Sequence, residues 1–546
     1  MTKDILEYQY LVSQWNAQVL MVFCISLIVP CALSLNLRLL KGLFHIHGRA
    51  TPPDDNTDTS HDFEEHQPLL QPLQYNGAMG NQRSHGSRYH PKLALIGLVL
   101  ALVVARVVLS ALVASNRAAL WASDHCGLYR FNRDCPDERA ALRADVYDRA
   151  KETRAGDYAE HCYSSTSSTG LGCNFFYKPR IEFDTRYSFV CPFFKKDICV
   201  LGSPAVTFDT GFVDANSIGI NDPYGYKFRR STTCTPLNTE HPYVHNETAN
   251  GTAAFTYYYG ETGNKSYTYH STGDPFNWLS PNYHIRLVIH VHQRHGALGP
   301  HLLGTDTATS IQFTSRYANT SNWKPIPALN RPPNTTLTIM FITPMHIRYL
   351  HPSNDPIFTV NKEELEGSFP IYYKKHDAKY RVLACIDSHE ICSPDERCSS
   401  MTDLHSANMN ESTTFPPQYW LMKWSLEHSD IYHSIAKRLG AALVARHAIS
   451  QYTSMPLSDR HWVVEARRLF ETSLARIQLD AWGIGSGEDR VYKGEDWYHD
   501  EKPAAVGDLC GIIKFQSTGY INIGIWIFCL VIMVMLLVWF LNWRLP

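Results

Sequence analysis

Three apolar runs, residues 19–37, 93–114 and 521–541, bracket a stretch of about 400 residues that holds eleven of the fourteen cysteines. Backbone amides in hydrocarbon can be satisfied only within their own segment, so a helix needs about 20 apolar residues to cross a bilayer core of about 30 Å. All three runs meet that length. The expected fold class is a membrane protein with three transmembrane helices and a large α+β ectodomain, in which a β-rich central region and a helical C-terminal block are tied by disulfides.

The third run, Ile521 to Leu541, carries no charged side chain and has Trp526, Trp539 and Trp543 near its ends, where indoles favour the headgroup zone. The second contains one charge, Arg106, about two thirds of the way along. It is read as a guanidinium reaching the outer headgroups past Ser110. The first run follows Lys3, Asp4 and Glu7 instead of the basic stretch of a cleaved signal, so it reads as a retained span. Residues 38–92 hold Arg38, Lys41, Arg49, Arg83, Arg88 and Lys92, which assigns this loop to the cytosol. Residues 1–18 then form a short outer tail, 542–546 a cytosolic tail, and everything between the second and third spans faces a lumenal or extracellular space, at the plasma membrane or a secretory or vacuolar endomembrane.

Sequons and cysteines agree with that sidedness. Asn246, Asn250, Asn264, Asn319, Asn334 and Asn410 are each followed two residues on by Ser or Thr, and none lies in the cytosolic loop. Cys126, Cys135, Cys162, Cys173, Cys191, Cys199, Cys234, Cys385, Cys392, Cys398 and Cys510 stand mostly in close groups, as bridges closing short loops in an oxidising compartment would. The local pairings expected are Cys126 with Cys135, Cys162 with Cys173 and Cys191 with Cys199; spacing leaves the others open, and eleven is odd. No C-x-x-C pair supports a zinc site. Cys24, Cys31 and Cys529 lie within the spans and read as small apolar residues.

Composition divides the remainder. Residues 42–91 are rich in Pro, Asp, Gln, Ser, Gly and His and poor in aliphatics, so 38–92 is expected to be a disordered loop. Residues 115–403 form the cysteine-containing β-rich region, introduced by solvated helices over 136–160. Strands are expected at Arg180 to Cys191, Phe255 to Tyr259, Ser266 to His270, His284 to His292, Thr335 to Ile342 and Tyr380 to Ile386, with Gly260 to Asn264 a hairpin loop between two tyrosine-rich strands. Residues 404–482 read as a helical block. One helix carries Trp420, Trp424, Ile431, Ile435, Leu439 and Leu443; a second, capped by Ser458 or Asp459, has Trp462, Ala466, Leu469, Phe470, Ser473 and Ile477 on one face. Residues 483–520 read as a linker to the membrane.

The best chemical candidate is the strand from His284. Period two would put His284, Arg286, His290 and His292 on one face, opposite Ile285, Leu287, Ile289 and Val291, and imidazoles at i and i+2 can share a divalent metal. His290 and His292 are therefore the candidate metal ligands, against the alternative of a half-buried strand with a polar outer surface. No H-E-x-x-H pattern, Gly-x-Ser-x-Gly elbow or strand-borne glycine turn accompanies them. No other cofactor and no catalytic residue is indicated. A net charge of −2 gives no footprint for nucleic acid.

The blocks Asp214 to Asn221, Phe228 to Cys234, Trp462 to Gln478 and Gly519 to Ile523 resemble those of a group of filamentous-fungal membrane proteins without assigned activity. The resemblance implies an anchored, disulfide-containing lumenal domain and no particular reaction. Two functional readings follow. One is a non-enzymatic surface or endomembrane glycoprotein that binds a protein or a cell-wall glycan. The alternative is a membrane-anchored, metal-assisted hydrolase or glycan-acting enzyme built on His290 and His292.

Overall fold

Two segments of the central region, Thr336–Met345 and Arg381–Cys392, carry apolar residues on both parities, a pattern that demands burial on both faces of a sheet. The computed structural model describes residues 9–13, 118–121, 126–131, 138–163, 172–249, 252–262, 266–272, 282–292, 301–304, 323–345, 347–364, 372–374, 379–400, 415–451, 453–488, 498–500, 509–516, 520–524 and 533. They fall into two compact units, one of residues 1–117 with 517–546, the other Ala118–Gln516.

The larger unit is built on ten strands that matter here: β1 (Asp184–Ser188), β2 (Ala205–Asp209), β3 (Lys227–Leu237), β4 (Val244–Ala249), β5 (Thr252–Tyr257), β6 (Tyr269–Thr272), β7 (Asn282–His292), β8 (His301–Gly304), β9 (Thr336–Met345) and β10 (Arg381–Cys392). The main sheet runs β8-β7-β9-β10-β3-β2-β1, antiparallel at every step. Its two faces serve different cores. Leu337, Ile339 and Phe341 of β9 join Val382, Ala384 and Ile386 of β10 in a cluster with Tyr243, Tyr257, Tyr259 and Trp323, beneath the small sheet β4-β5-β6. Met340, Ile342, Leu383 and Cys385 point the other way, into a cluster with the helices.

Helices lie on that side: α1 (Glu138–Tyr158) and α2 (Pro417–Glu427) pack against α4 (His461–Ser486), and α4 and α3 (Ile431–Ala436) pack against the sheet. The single helix expected through Trp420 and Leu443 is broken. Asp430 starts α3 by accepting the amide of His433 at 2.9 Å, so the chain turns between α2 and α3. The cap of α4 comes from neither Ser458 nor Asp459. The Asp355 carboxylate, far away in sequence, accepts the Trp462 amide at 2.9 Å as well as those of Ile357 and Phe358. Residues 469–486 of α4 are buried on every side, polar ones included, and the helix runs through Gly483 and Gly485 to Ser486, past the position where a linker was expected. A Cβ on Gly485 would lie 2.1 Å from Ile513 Cγ1, so only glycine lets the returning chain pass. Leu509 and Ile513 are core residues, and Lys514–Gln516 pairs with Ala118–Leu120.

Gly260 to Asn264 also departs from expectation. The tyrosine-rich strands β5 and β6 do pair, Tyr257 opposite Tyr269, but Gly260–Thr262 is itself a strand that pairs with Trp323–Pro325. A Cβ at Gly260 would sit 2.5 Å from the Trp323 ring, so the glycine serves strand contact.

Among the described residues five disulfides tie the unit. Cys162–Cys173 and Cys191–Cys199 close short loops as expected, and Cys392–Cys398 closes another. Cys234 and Cys385 stand directly opposite each other on β3 and β10. Cys126 does not join Cys135. It pairs with Cys510 across 384 positions, because the strand pairing of the two chain ends brings their Cα atoms to 5.2 Å. Cys135, the eleventh, lies outside the described residues, as do Cys24, Cys31 and Cys529.

In the smaller unit Gln9–Ser13 pairs antiparallel with Tyr520–Gly524, so residues 521–524, expected to open the third span, are extended. The runs 19–37 and 93–114, the loop 38–92, and 521–541 beyond Gly524 except Met533 lie outside the described residues. Among the described residues no helix is long and apolar enough to cross a membrane.

Candidate functional site

Where β3 leaves the main sheet and β10 enters it, four separate segments enclose a cleft of about 420 Å³. Its walls are Val200 to Pro204 before β2, Asn238 to Glu240 after β3, Asn354, Pro356 and Thr359 beside the Asp355 cap, and Asp459 and Arg460 at the start of α4, with Arg381 at the first position of β10.

The polar groups are held in place by the sheet. Asn238 donates its amide to the Ile198 carbonyl at 2.7 Å, and its own carbonyl accepts from Tyr259 Oη at 2.7 Å. Arg381 Nη1 donates to Thr239 Oγ1 at 2.9 Å, and Lys379 Nζ lies 2.7 Å from Glu240 Oε1. Asp459 Oδ1 accepts the Asn354 amide at 3.4 Å. Two buried polar atoms in these walls, Ser203 Oγ and Arg381 Nε, have no hydrogen-bond partner among the described residues. Buried polar groups are rarely left so. The cleft thus offers guanidinium and amide donors, carboxylate acceptors and hydroxyls side by side, with Val200, Leu201, Pro204 and Pro356 as its apolar part. Its lining includes neither histidine nor cysteine, and Ser203 has no base against it, so the geometry provides for holding a polar ligand.

Two ionic clusters lie beneath the helices instead. Arg230, fully buried, donates to Asp387 Oδ1 at 3.0 Å, Thr232 Oγ1 at 2.5 Å and the Ser429 carbonyl at 2.5 Å, and stacks 4.9 Å from the Phe470 ring centre. Arg476 reaches Glu152 at 2.5 Å and Asp480 at 2.8 Å, with Lys151 at 3.3 Å from Asp480. Burial pushes the Asp480 carboxyl up, but Arg476 and Lys151 outweigh it and hold it down at about 2. Burial raises the Glu152 carboxyl in spite of Arg476. Apart from Glu152 Oε2 and Arg230 Nη2 these groups answer one another inside the core, and none of them lines the cleft, which makes them structural.

The histidine strand differs from its expected form. β7 is an interior strand between β8 and β9, and its register slips between Ile285 and Leu287, a bulge that reverses the alternation. Ile285 and Val288 therefore join the helix-side core and Ile289 the opposite one, so the apolar face expected from Ile285 through Ile289 does not exist as a single face. The side chains of His290 and His292 are outside the described residues, whereas the ladder places His301 of β8 directly opposite His290. Among the described residues no three metal-ligating side chains converge.

Of the sequon asparagines, Asn246 on β4 and Asn334 before β9 are exposed; Asn250, Asn264, Asn319 and Asn410 lie outside the described residues. The cleft residues escaped the sequence reading because they come from segments up to about 260 positions apart with no shared spacing. No family model, curated protein or solved structure matches this chain.

Proposed function

We propose that the chain is a membrane-anchored glycoprotein whose disulfide-tied ectodomain binds an external polar ligand, a cell-wall glycan before a protein segment, in the cleft between Asn238 to Glu240, Arg381 and Asp459 to Arg460. The observation that carries this reading is the preformed cleft of about 420 Å³, lined by mixed donors and acceptors fixed by the sheet. Such a mixture matches a polyhydroxylated ligand, whose hydroxyls both give and take hydrogen bonds. The anchor rests on the length and composition of residues 19–37, 93–114 and 521–541; the lumenal or extracellular placing of the ectodomain rests on the basic loop 38–92 and on the sequons.

The test is retention of the full-length protein, in detergent, on immobilised polysaccharides and on a peptide library, compared with the Arg381→Ala, Arg460→Ala double variant. Retention on polysaccharide that falls by about tenfold or more in the variant supports the reading, in line with the loss of an anchoring arginine. Equal retention of both proteins, or retention of neither, sinks it.

One observation favours the metal-dependent alternative. The His290–His301 register brings a third histidine position beside His290 and His292 on two paired strands. Metal analysis of the purified protein decides: stoichiometric bound metal lost in the His290→Ala, His292→Ala variant supports it, and metal-free protein removes it.

A further inference from the structure

β1 is the edge of the main sheet, and Ser188 at its end pairs with Ala205 at the start of β2, so the connection from Phe189 to Pro204 projects from one corner of the fold. This loop is held rigid yet presents apolar side chains to solvent. Cys191–Cys199 closes it, Phe193 and Ile198 are buried in the core, and the amides of Phe194 and Lys195 donate to the carbonyls of Asn330 and Ala328 at 3.1 and 3.4 Å. Against that frame Phe189 is 76% exposed, Phe194 77% and Leu201 fully, with Val190 and the adjoining Tyr187 also exposed. Soluble surfaces seldom gather large apolar side chains in one place unless something covers them.

We infer that this tip, Phe189, Val190 and Phe194 with Lys195 and Lys196, contacts the lipid surface that anchors the chain, at the level of its phosphates. Both lysines are exposed in the same loop, and neither has an ion-pair partner among the described residues. The loop's one acid, Asp197, accepts a hydrogen bond from Tyr243 Oη at 3.1 Å. Aromatic and aliphatic side chains flanked by free lysines suit an interface in which the rings enter the acyl boundary and the ammonium groups meet phosphate. A frame already ordered by the disulfide loses little freedom on contact. The inference rests on the membrane-anchored reading given above, and it extends that reading from the tethers to the ectodomain.

The experiment uses the full-length chain in its own membranes, with photoreactive p-benzoylphenylalanine in place of Phe189 or Phe194, and in place of Leu142 on α1 as an exposed control. At exposures near three quarters, neither loop substitution disturbs packing. After irradiation, mass spectrometry is expected to find lipid adducts at the two loop positions at several times the yield at Leu142, and the Lys195→Glu, Lys196→Glu variant is expected to lower the loop yield at least threefold. An adduct to a second protein, an adduct yield no higher than at Leu142, or a yield unchanged by the lysine reversal overturns the inference. Carbonate extraction of the same membranes reads the tether independently. A chain that resists extraction but gives no loop adduct keeps its anchor and loses this contact.

Discussion

The Asp387→Ala variant tests the account of the core most directly. Asp387 is fully buried, accepts from Arg230 at 3.0 Å, Thr232 Oγ1 at 2.6 Å and the Ile431 amide at 3.2 Å, and supplies the nearest countercharge to a guanidinium that has no access to water. Burial pulls the Arg230 guanidinium down and pushes the Asp387 carboxyl up, so each ion is tolerated there because of the other. Removing one partner of a buried pair costs about 3–5 kcal/mol, since the remaining charge stays desolvated. Asp430 also acts on the guanidinium and remains in place, which puts the expected loss at about 3–4 kcal/mol. Unfolding entropy near about 2.1 cal/mol/K per residue over roughly 400 residues is about 0.8 kcal/mol/K, so the melting temperature should fall by about 4–5 °C. Tryptophan fluorescence of the detergent-solubilised protein reads it, because Trp420, Trp424 and Trp462 sit in the same core. The double variant Arg230→Met, Asp387→Leu removes both charges and should melt above Asp387→Ala, at a remaining cost of about 1 kcal/mol or less for each group left without its partner at Thr232, Ser429 and Ile431. A single variant that melts within 1 °C of the wild type, or a double variant that melts below the single one, refutes the reasoning.

Acid should act through Asp480. Its folded carboxyl lies near 2, below the ordinary carboxylate value, so its stabilisation is complete above about pH 4 and is lost as pH falls towards 2, roughly 2 kcal/mol in all. Asp480→Asn should flatten the melting curve across that interval, and an unchanged acid slope would count against the Arg476 network. Cys126→Ala with Cys510→Ala opens the longest loop in the unit, and chain entropy assigns that closure about 6 kcal/mol. The variant should show protease cleavage near both chain ends of the ectodomain while the Cys162–Cys173 loop stays intact by peptide mapping; cleavage confined to internal loops would falsify the stapling role.

Local chemistry made much of the fold legible. The runs at β9 and β10 announce strands because consecutive apolar side chains on both parities need two covered faces, and the structure supplies both. Cys162 with Cys173 and Cys191 with Cys199 could be paired from spacing, since closing a short loop needs little else to be true. The helix at Trp462 was equally readable, though its burial all round was not, because Arg476, Gln478 and Asp480 look like a solvated face until Glu152, Lys151 and Lys178 are seen around them.

What only the tertiary structure decided lies between segments distant in the chain. Cys510 meets Cys126 because Lys514–Gln516 and Ala118–Leu120 form a ladder, and Asp355 caps α4 from about 100 positions away. A one-residue bulge in β7 reverses which side chains share a face, and no composition signal marks it. The cleft is of the same kind: Asn238, Arg381 and Arg460 carry no pattern in sequence and become neighbours when the sheet is assembled. Periodicity encodes which face of an element is apolar, and so several of the strands and helices, the Cys162–Cys173 and Cys191–Cys199 bridges and the three long apolar runs could be read from the sequence alone. Which elements meet, and with them the pairing of distant cysteines, the partner of every buried charge and the walls of the cleft, depends on the simultaneous packing of all of them.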